Sequence, residues 1–501
     1  MWIRTGRALG AALILAVGQG HAETPLSAID WLSDSISETA RIALAPGISD
    51  IVENAMPADV SVLALGLSTA DSVGLLPTSV TGLPADLWGS SSSADLAGRF
   101  RADRFDLYPA MQELLYKLLL AELDPPTDTG PEATLFLARI DTLLALGALN
   151  QAEALLAQSG LDQPQIFRRG FDVALLLHTE DATCEILRAT PALSPTFPAR
   201  IYCQARAGDW NAAALSLEIG RGLGYLSDDE DALLTRFLNP ALFENEPRLA
   251  PPVRPSPLVF RILEAIGEPL PTANLPRAFA HSDLQNNSGW KAQLEAAERL
   301  TRTGALDPNH LLGLYTERHP AASGGIWDRV QAVQSLESAL AAENPAAIAA
   351  ALPAAWREMS RAELEVPFAR LFSARLDEAL RDTQSAALVF EIAVLSDDYE
   401  RAPTFYSPTN ARQKLLWNIA QGIAGDTRSS DPMMVAIQDG FRATGIPVRL
   451  KSLTSEGRLG SAMLRAMELF ANGSRGDLDQ LADALAFFRA VGLEDTARRA
   501  A

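Results

Sequence analysis

Cysteine, histidine and aromatic residues are scarce in this sequence. It has two cysteines and five histidines among 501 residues, and aromatic residues make up 7% of the total. It lacks the His-Glu-x-x-His zinc pattern, the glycine-rich phosphate loop, the dinucleotide fingerprint and the Gly-x-Ser-x-Gly nucleophile elbow. We therefore predict that the protein is not an enzyme and has no catalytic residue, no metal ligand set and no cofactor.

Positive charge is also in short supply. The chain has 42 Lys and Arg residues against 62 Asp and Glu residues, which gives a formal net charge of −20. Such a chain repels phosphate backbones and anionic lipid surfaces, so nucleic acid is a poor candidate partner. Hydrophobic residues make up 48% of the sequence, enough for a sizeable core. No uninterrupted apolar stretch reaches 18 residues, so we predict no stable transmembrane anchor.

The first 22 residues have the pattern of a secretory signal peptide. Arg4 and Arg7 form a basic start, and residues 8–17 form a short apolar core. The sequence Gly20-His21-Ala22 then places small residues where a signal peptidase requires them. We predict that residues 1–22 are removed and that the mature protein is periplasmic.

Three later segments share a glycine followed five residues later by an alanine. Glycine suits a tight turn between helices, and alanine in the next helix lets two helix backbones approach closely. The segment around Thr179 fits the same register, with Thr179 at the turn position and Cys184 where the alanine would be. The three glycine and alanine pairs are Gly147 with Ala152, Gly208 with Ala213, and Gly492 with Ala497.

The turn positions 147, 179 and 208 are 32 and 29 residues apart. This spacing of helix–turn–helix units resembles a degenerate tetratricopeptide-type repeat, over residues 131–225 and the last 40 residues or so. The large aromatic residue that the family has early in the first helix is not regularly present. The resemblance implies an α-solenoid, and the alternative is an irregular helical domain.

Both cysteines fall within one short stretch, at Cys184 and Cys203. Prolines 191, 195 and 198 break the chain between them, so the two cysteines fall on successive helices. Adjacent antiparallel helices bring such side chains within bonding range, and an oxidising compartment favours a disulfide. The alternative is two buried thiols that act as small apolar residues.

The remaining sequence indicates an all-α fold in two halves. Residues 23–92 combine an amphipathic helix with an extended segment rich in Gly, Pro and Ser, which we expect to lie on the body or on a partner. Residues 93–245 contain the repeats, and a Pro-rich linker covers residues 246–257. A second helical repeat domain then occupies residues 258–501.

One stretch collects several polar side chains in little space. A hydrolase interpretation takes His319 as a general base and Ser323 as a nucleophile, but sequence spacing alone fixes no triad geometry. The alternative is a helix, a loop and a new helix that position Trp327 for a contact. The candidate residues of this stretch are His310, Glu317, His319, Ser323 and Trp327.

Helical repeats stack into long curved surfaces that mostly bind other proteins. We therefore predict a periplasmic, non-catalytic scaffold or assembly subunit whose partners are other envelope proteins. The alternative function is a cell-envelope enzyme, related to peptidoglycan, or its accessory subunit, acting through residues 310–327.

Overall fold

The structure is a computed structural model that describes residues 69–102, 108–380, 383–425 and 428–501. The predicted signal peptide and the predicted amphipathic helix lie outside the described residues. In the described part, the fold is all-helical and has no β-strand, as the sequence predicted. A single isolated bridge joins Leu76 to Ala121.

Twenty-five α-helices occupy the described chain. In order they are α1 Thr78–Thr81, α2 Ser93–Arg101, α3 Pro109–Leu120, α4 Thr134–Leu146, α5 Leu149–Ser159, α6 Pro164–Leu177, α7 Glu180–Ala189, α8 Phe197–Arg206, α9 Trp210–Leu223, α10 Asp228–Leu238, α11 Pro257–Ala265, α12 Ala280–Asp283, α13 Trp290–Thr301, α14 Pro308–Glu317, α15 Ile326–Ala341, α16 Pro345–Ser360, α17 Glu365–Leu380, α18 Ala386–Ala393, α19 Ala402–Phe405, α20 Ala411–Ala420, α21 Pro432–Arg442, α22 Val448–Ser455, α23 Leu459–Ser474, α24 Leu478–Ala490 and α25 Glu494–Ala500.

Local sequence explains several helix starts. Asp307 accepts a hydrogen bond from the backbone N–H of Asn309, and Pro308 takes the first helical position, where its missing N–H costs nothing. Asp431 and Pro432 begin α21 in the same way. Each start stabilises a helix by about 1 kcal/mol.

One turn geometry recurs along the chain. A residue with positive φ ends one helix, one further residue follows, and the next helix then begins. That intervening residue donates its backbone N–H to the carbonyl five residues earlier, for example Ala148 to Leu143 at 2.8 Å and Leu493 to Phe488 at 2.8 Å. This is the Schellman arrangement, which satisfies carbonyls at a helix end. The positive-φ residues of these turns are Gly147, His178, Gly208, Glu343, Glu363, Gly457, Gly476 and Gly492.

The structure corrects the register of the second predicted turn. His178, not Thr179, has the left-handed conformation, with φ of 63°. The buried residue five positions later is therefore Thr183, and Cys184 comes one position after it. Histidine is among the non-glycine residues that tolerate positive φ best, so the turn does not need a glycine.

Residues 161–270 have a hydrophobic core of their own, and we call this part the disulfide lobe. Its core joins Leu234, before the predicted linker, to Leu258, after it. The linker runs over the lobe and is held there by Glu268, which accepts hydrogen bonds from the Leu249 N–H at 2.9 Å and from Arg236 at 2.6 Å. The Pro-rich segment therefore does not separate two cores.

Residues far apart in sequence meet where the first described segment contacts α23. The Gly460 N–H donates to the carbonyl of Leu87 at 2.9 Å, and the hydroxyls of Ser461 and Ser91 are 2.9 Å apart. Trp88 is 1% exposed beside Gly460. The described part of the Gly, Pro and Ser-rich segment therefore packs on its own chain. Its contacts with α23 join residues far apart in sequence, in addition to the contacts between successive helices.

Candidate binding face

Helix α9 carries large apolar side chains on its solvent side. Leu215, Ile219 and Leu223 are spaced by four residues, so they project from one face of the helix. Their exposed fractions are 62%, 45% and 60%. The opposite face of α9 packs on the lobe through Ala213 and Leu217, which are buried. The exposed apolar side chains are therefore not needed to pack α9 on the rest of the lobe.

Two exposed aromatic rings lie near the two ends of α9. Trp210 begins α9 and is 51% exposed, while Tyr225 follows its end and is 48% exposed. Each ring is supported from behind: the centroid of Trp210 is 6.2 Å from that of Phe237, and the centroid of Tyr225 is 5.5 Å from that of Phe197. Such supported rings give a partner large contact areas at little cost in side-chain entropy. We call Leu215, Ile219, Leu223 and Tyr225 the α9 face; Trp210 lies on the side of the helix that carries Ala213 and Leu217.

Acidic side chains lie within α9 and at the start of α10. Arg221, the basic residue within the helix, is already paired with Glu218 at 2.5 Å and with Asp231 at 2.7 Å. The start of α10 adds exposed carboxylates at Asp228 and Asp229. Near the end of α9, four carboxylates (Glu218, Asp228, Asp229 and Asp231) outnumber two guanidinium groups, those of Arg221 and of Arg200, which lies over the Phe197 ring.

The predicted disulfide is confirmed and lies directly behind this face. Cys184 in α7 is bonded to Cys203 in α8, with the two Cα atoms 5.0 Å apart. Helix α8 is the immediate packing neighbour of α9. The disulfide therefore fixes the support on which the α9 face rests.

A buried carboxylate also joins the helices of the lobe. Glu180 accepts a hydrogen bond from the hydroxyl of Tyr202 at 2.7 Å and is paired with Arg261 at 3.0 Å. Because both partners of this buried charge come from other helices, α7, α8 and α11 are held in one arrangement. Burial and the carboxylate of Glu180 together raise the pKa of Tyr202, so its hydroxyl stays protonated and donates.

The residues predicted at repeat turns lie at helix junctions. The glycines at 147, 208 and 492 all have φ between 82° and 85°. Each alanine five residues later is fully buried in the helix that follows the turn. The alanines concerned are Ala152, Ala213 and Ala497.

The candidate polar stretch is placed mainly at the surface. His310, Glu317 and Ser323 are exposed, and Glu317 pairs with the neighbouring Arg318 at 2.8 Å. The Nδ1 atom of His319 lies 3.1 Å from the side-chain oxygen of Gln334. Among the described residues, no hydrogen bond joins His319 to Ser323. The alternative of an envelope enzyme using this stretch stays a prediction.

Trp327 packs against Trp290, with ring centroids 5.2 Å apart. Beside this pair, Tyr315 donates to Glu298 at 2.6 Å, and Arg329 binds both oxygens of the same carboxylate at 2.8 and 2.6 Å. These groups tie α13, α14 and α15 together. The buried polar residues Tyr315 and Glu298 therefore hold neighbouring helices together, which is a structural role.

Within the part of the chain that the structure describes, no group of His, Cys, Asp or Glu side chains is arranged to hold a metal ion. None of the helices described is both long enough and apolar enough to cross a bilayer. Comparisons with protein-family models, with curated proteins and with solved structures find no match to this chain. The assignment of the α9 face as a candidate binding site therefore depends on the exposure, spacing and charge of its own residues.

Proposed function

We propose that the protein is an exported, non-catalytic helical-repeat protein that binds a partner protein through the α9 face. One observation carries this proposal: three large aliphatic side chains on one face of α9 are exposed, and the supported ring of Tyr225 is exposed just after the end of the helix. An isolated exposed leucine needs no explanation, but a row of this kind is typical of an interaction site.

Further features support the repeat architecture and the compartment. The recurring Schellman turn is what a chain of helix pairs requires, and it favours a solenoid of such pairs. The disulfide favours an oxidising compartment, in agreement with the predicted signal peptide and the periplasm. We place the protein there as a scaffold or assembly subunit that contacts other envelope proteins.

The chemistry of the face selects one kind of partner. A row of apolar side chains at helical spacing fits the apolar side of an amphipathic helix. The exposed carboxylates of Asp228 and Asp229, just after the end of α9, attract basic residues beside that apolar side. We therefore infer that the partner offers an amphipathic helix flanked by Lys or Arg.

The proposal is tested by crosslinking from a defined position. The photo-crosslinking residue p-benzoylphenylalanine replaces Ile219 in cells, and the control replaces Val448, which is 89% exposed on α22. Crosslinked peptides are identified by mass spectrometry, and the captured segment is then synthesised. We expect position 219 to capture an amphipathic helix with basic flanks, well above the level at position 448.

The synthetic segment then provides a quantitative measurement. Leu215→Asp should weaken its binding to the purified protein by about tenfold or more, because it places a charge within the apolar face. Val448→Asp should change binding less than about twofold, and added salt should weaken binding to the unmodified protein. Crosslinks only to a second copy, crosslinks to acidic segments, or an unchanged affinity in Leu215→Asp would overturn the proposal.

A further inference from the structure

A cleft of about 500 Å³ lies away from the α9 face. It is formed by residues 76–81, by α3, by Gln151 of α5, by residues 301–308 from the end of α13 to the start of α14, and by the start of α17. This volume is in the range that holds a small organic molecule. The candidate polar residues His310, His319 and Ser323 do not line it.

Three buried polar atoms in this cleft have no hydrogen-bond partner. They are the hydroxyl oxygens of Tyr116 and Thr301 and the side-chain carbonyl oxygen of Gln151. Thr301 is only 3% exposed, so its unpartnered hydroxyl is enclosed. In native proteins the great majority of buried polar atoms have a partner, because an unpaired one costs free energy. Three such atoms from three separate helices in one cleft point to a bound molecule that pairs with them.

Polar groups next to Thr301 in the sequence do form hydrogen bonds within the protein. Thr303, two residues beyond Thr301, donates its hydroxyl to the carbonyl of Leu146 at 2.8 Å. Arg302 donates to the carbonyl of Ala362 at 2.7 Å. These two groups, unlike the hydroxyl of Thr301, have partners within the protein.

The unpaired atoms define the chemistry of the ligand. Gln151 offers an oxygen that only accepts, so the ligand must donate to it, while the two hydroxyls can donate or accept. None of the three carries a charge at neutral pH, and burial holds the pKa of Tyr116 above its ordinary value. The charged pair Glu113 and Arg370 at the cleft is already joined.

Both apolar and charged side chains form the remaining walls of the cleft, and the charged ones are Lys117, Arg302, Asp307, Glu363 and Glu365. Leu76, Val80, Leu120 and Val366 line it beside the polar atoms. A sugar ring combines the two properties required, since it carries hydroxyls that both donate and accept and has apolar C–H faces. We propose that this cleft binds a small neutral molecule rich in hydroxyl groups, of the size of a mono- or disaccharide.

The test uses the purified full-length mature chain and isothermal titration with two neutral probes, maltose and N-acetylglucosamine. Aspartate, lysine and inorganic phosphate serve as charged comparisons. We expect saturable binding of at least one neutral sugar, and Thr301→Val or Tyr116→Phe should weaken it about tenfold. Thr303→Val is the matched control, since its hydroxyl already has a protein partner, and it should change the sugar affinity less than twofold.

Thermal unfolding without ligand separates the remaining outcomes. If the hydroxyl of Thr301 is unpaired in the free protein, Thr301→Val should leave the unfolding temperature unchanged or raise it, whereas Thr303→Val should lower it. Binding of the charged probes alone, or of neither sugar, overturns the proposal. A loss of stability in Thr301→Val equal to that in Thr303→Val, without sugar binding, would mean that water alone fills the cleft. Crosslinking at the α9 face does not depend on either result.

Discussion

The Nε2 atom of His281 lies 2.6 Å from the carbonyl oxygen of Gly147. This hydrogen bond joins the turn between α4 and α5 to α12, 134 residues further along the chain. Burial lowers the pKa of His281, so the neutral imidazole donates through Nε2–H. Gly147 is therefore both a turn residue and a tertiary contact, and this distinguishes it from Gly208 and Gly492, which have open space around them.

The glycines of the repeated turn should respond differently to alanine. Gly147→Ala introduces a Cβ at positive φ and places it 2.6 Å from Leu300, so we expect a loss of about 2–4 kcal/mol in unfolding free energy. Gly208→Ala and Gly492→Ala have the same strain but open space around them, so each should cost about 1 kcal/mol. Urea unfolding of the three variants measures these losses of unfolding free energy. Equal losses in all three variants would contradict the prediction.

The turns show what the sequence could and could not predict. Gly147, Gly208 and Gly492 were visible because glycine marks positive φ, and Gly-x₄-Ala repeats at a helical spacing. His178 has the same conformation without a glycine, so its turn was placed one residue late. The φ of His178 and the backbone hydrogen bond from Thr179 to Ala174 identify the turn.

The disulfide should stabilise the disulfide lobe. It closes a loop with a sequence separation of 19 residues, which is worth about 3 kcal/mol in the chain-entropy model. The double variant Cys184→Ala/Cys203→Ala should unfold at lower urea concentration than the oxidised protein. Reducing agent should lower the midpoint of the native protein toward that of the variant, and it should leave the variant unchanged. A midpoint insensitive to both treatments would be inconsistent with this role.

The α9 face and the cleft were beyond sequence analysis for two different reasons. Helix α9 has apolar residues on both sides, and periodicity cannot tell the buried Leu217 from the exposed Leu215. The cleft brings together Tyr116, Gln151 and Thr301 from separate helices. Their proximity depends on tertiary packing, which no local pattern specifies.

The stability of the disulfide lobe should depend on pH through Asp172. Its carboxyl group is 16% exposed, and burial raises its pKa to about 6 against the opposing effect of Arg168 at 3.9 Å. The carboxyl group of Asp172 therefore holds its proton more strongly in the folded protein than in the unfolded chain. Its stabilising contribution is complete below about pH 4 and is lost as the pH rises through 6.

Asp172→Asn removes this titration, so it should flatten the pH dependence of stability. Between pH 4.5 and 7.5 we expect the native protein to lose about 1–2 kcal/mol more unfolding free energy than the variant. The measurement compares the change with pH in each protein, so any constant effect of losing the Arg168 contact cancels. Parallel pH profiles for the two proteins would show that Asp172 is ionised throughout.

The contact between Trp88 and Gly460 should be sensitive to a single methyl group. A Cβ at Gly460 would lie 2.6 Å from the Cζ3 atom of Trp88, so Gly460→Ala must displace a fully buried ring. We expect a loss of about 1–3 kcal/mol. The controls are Gly98→Ala and Gly313→Ala, helical glycines with open space around them, which should gain about 0.5–1 kcal/mol.

Proteolysis shows whether this contact joins the two regions. If α23 holds the segment around Trp88 in place, Gly460→Ala should speed cleavage near residues 83–92 as well as lower the urea midpoint, and the two controls should do neither. A variant that loses stability without faster cleavage there would mean that this segment is held by its other contacts. The hydrogen bond between Ser461 and Ser91 would then be the next to remove.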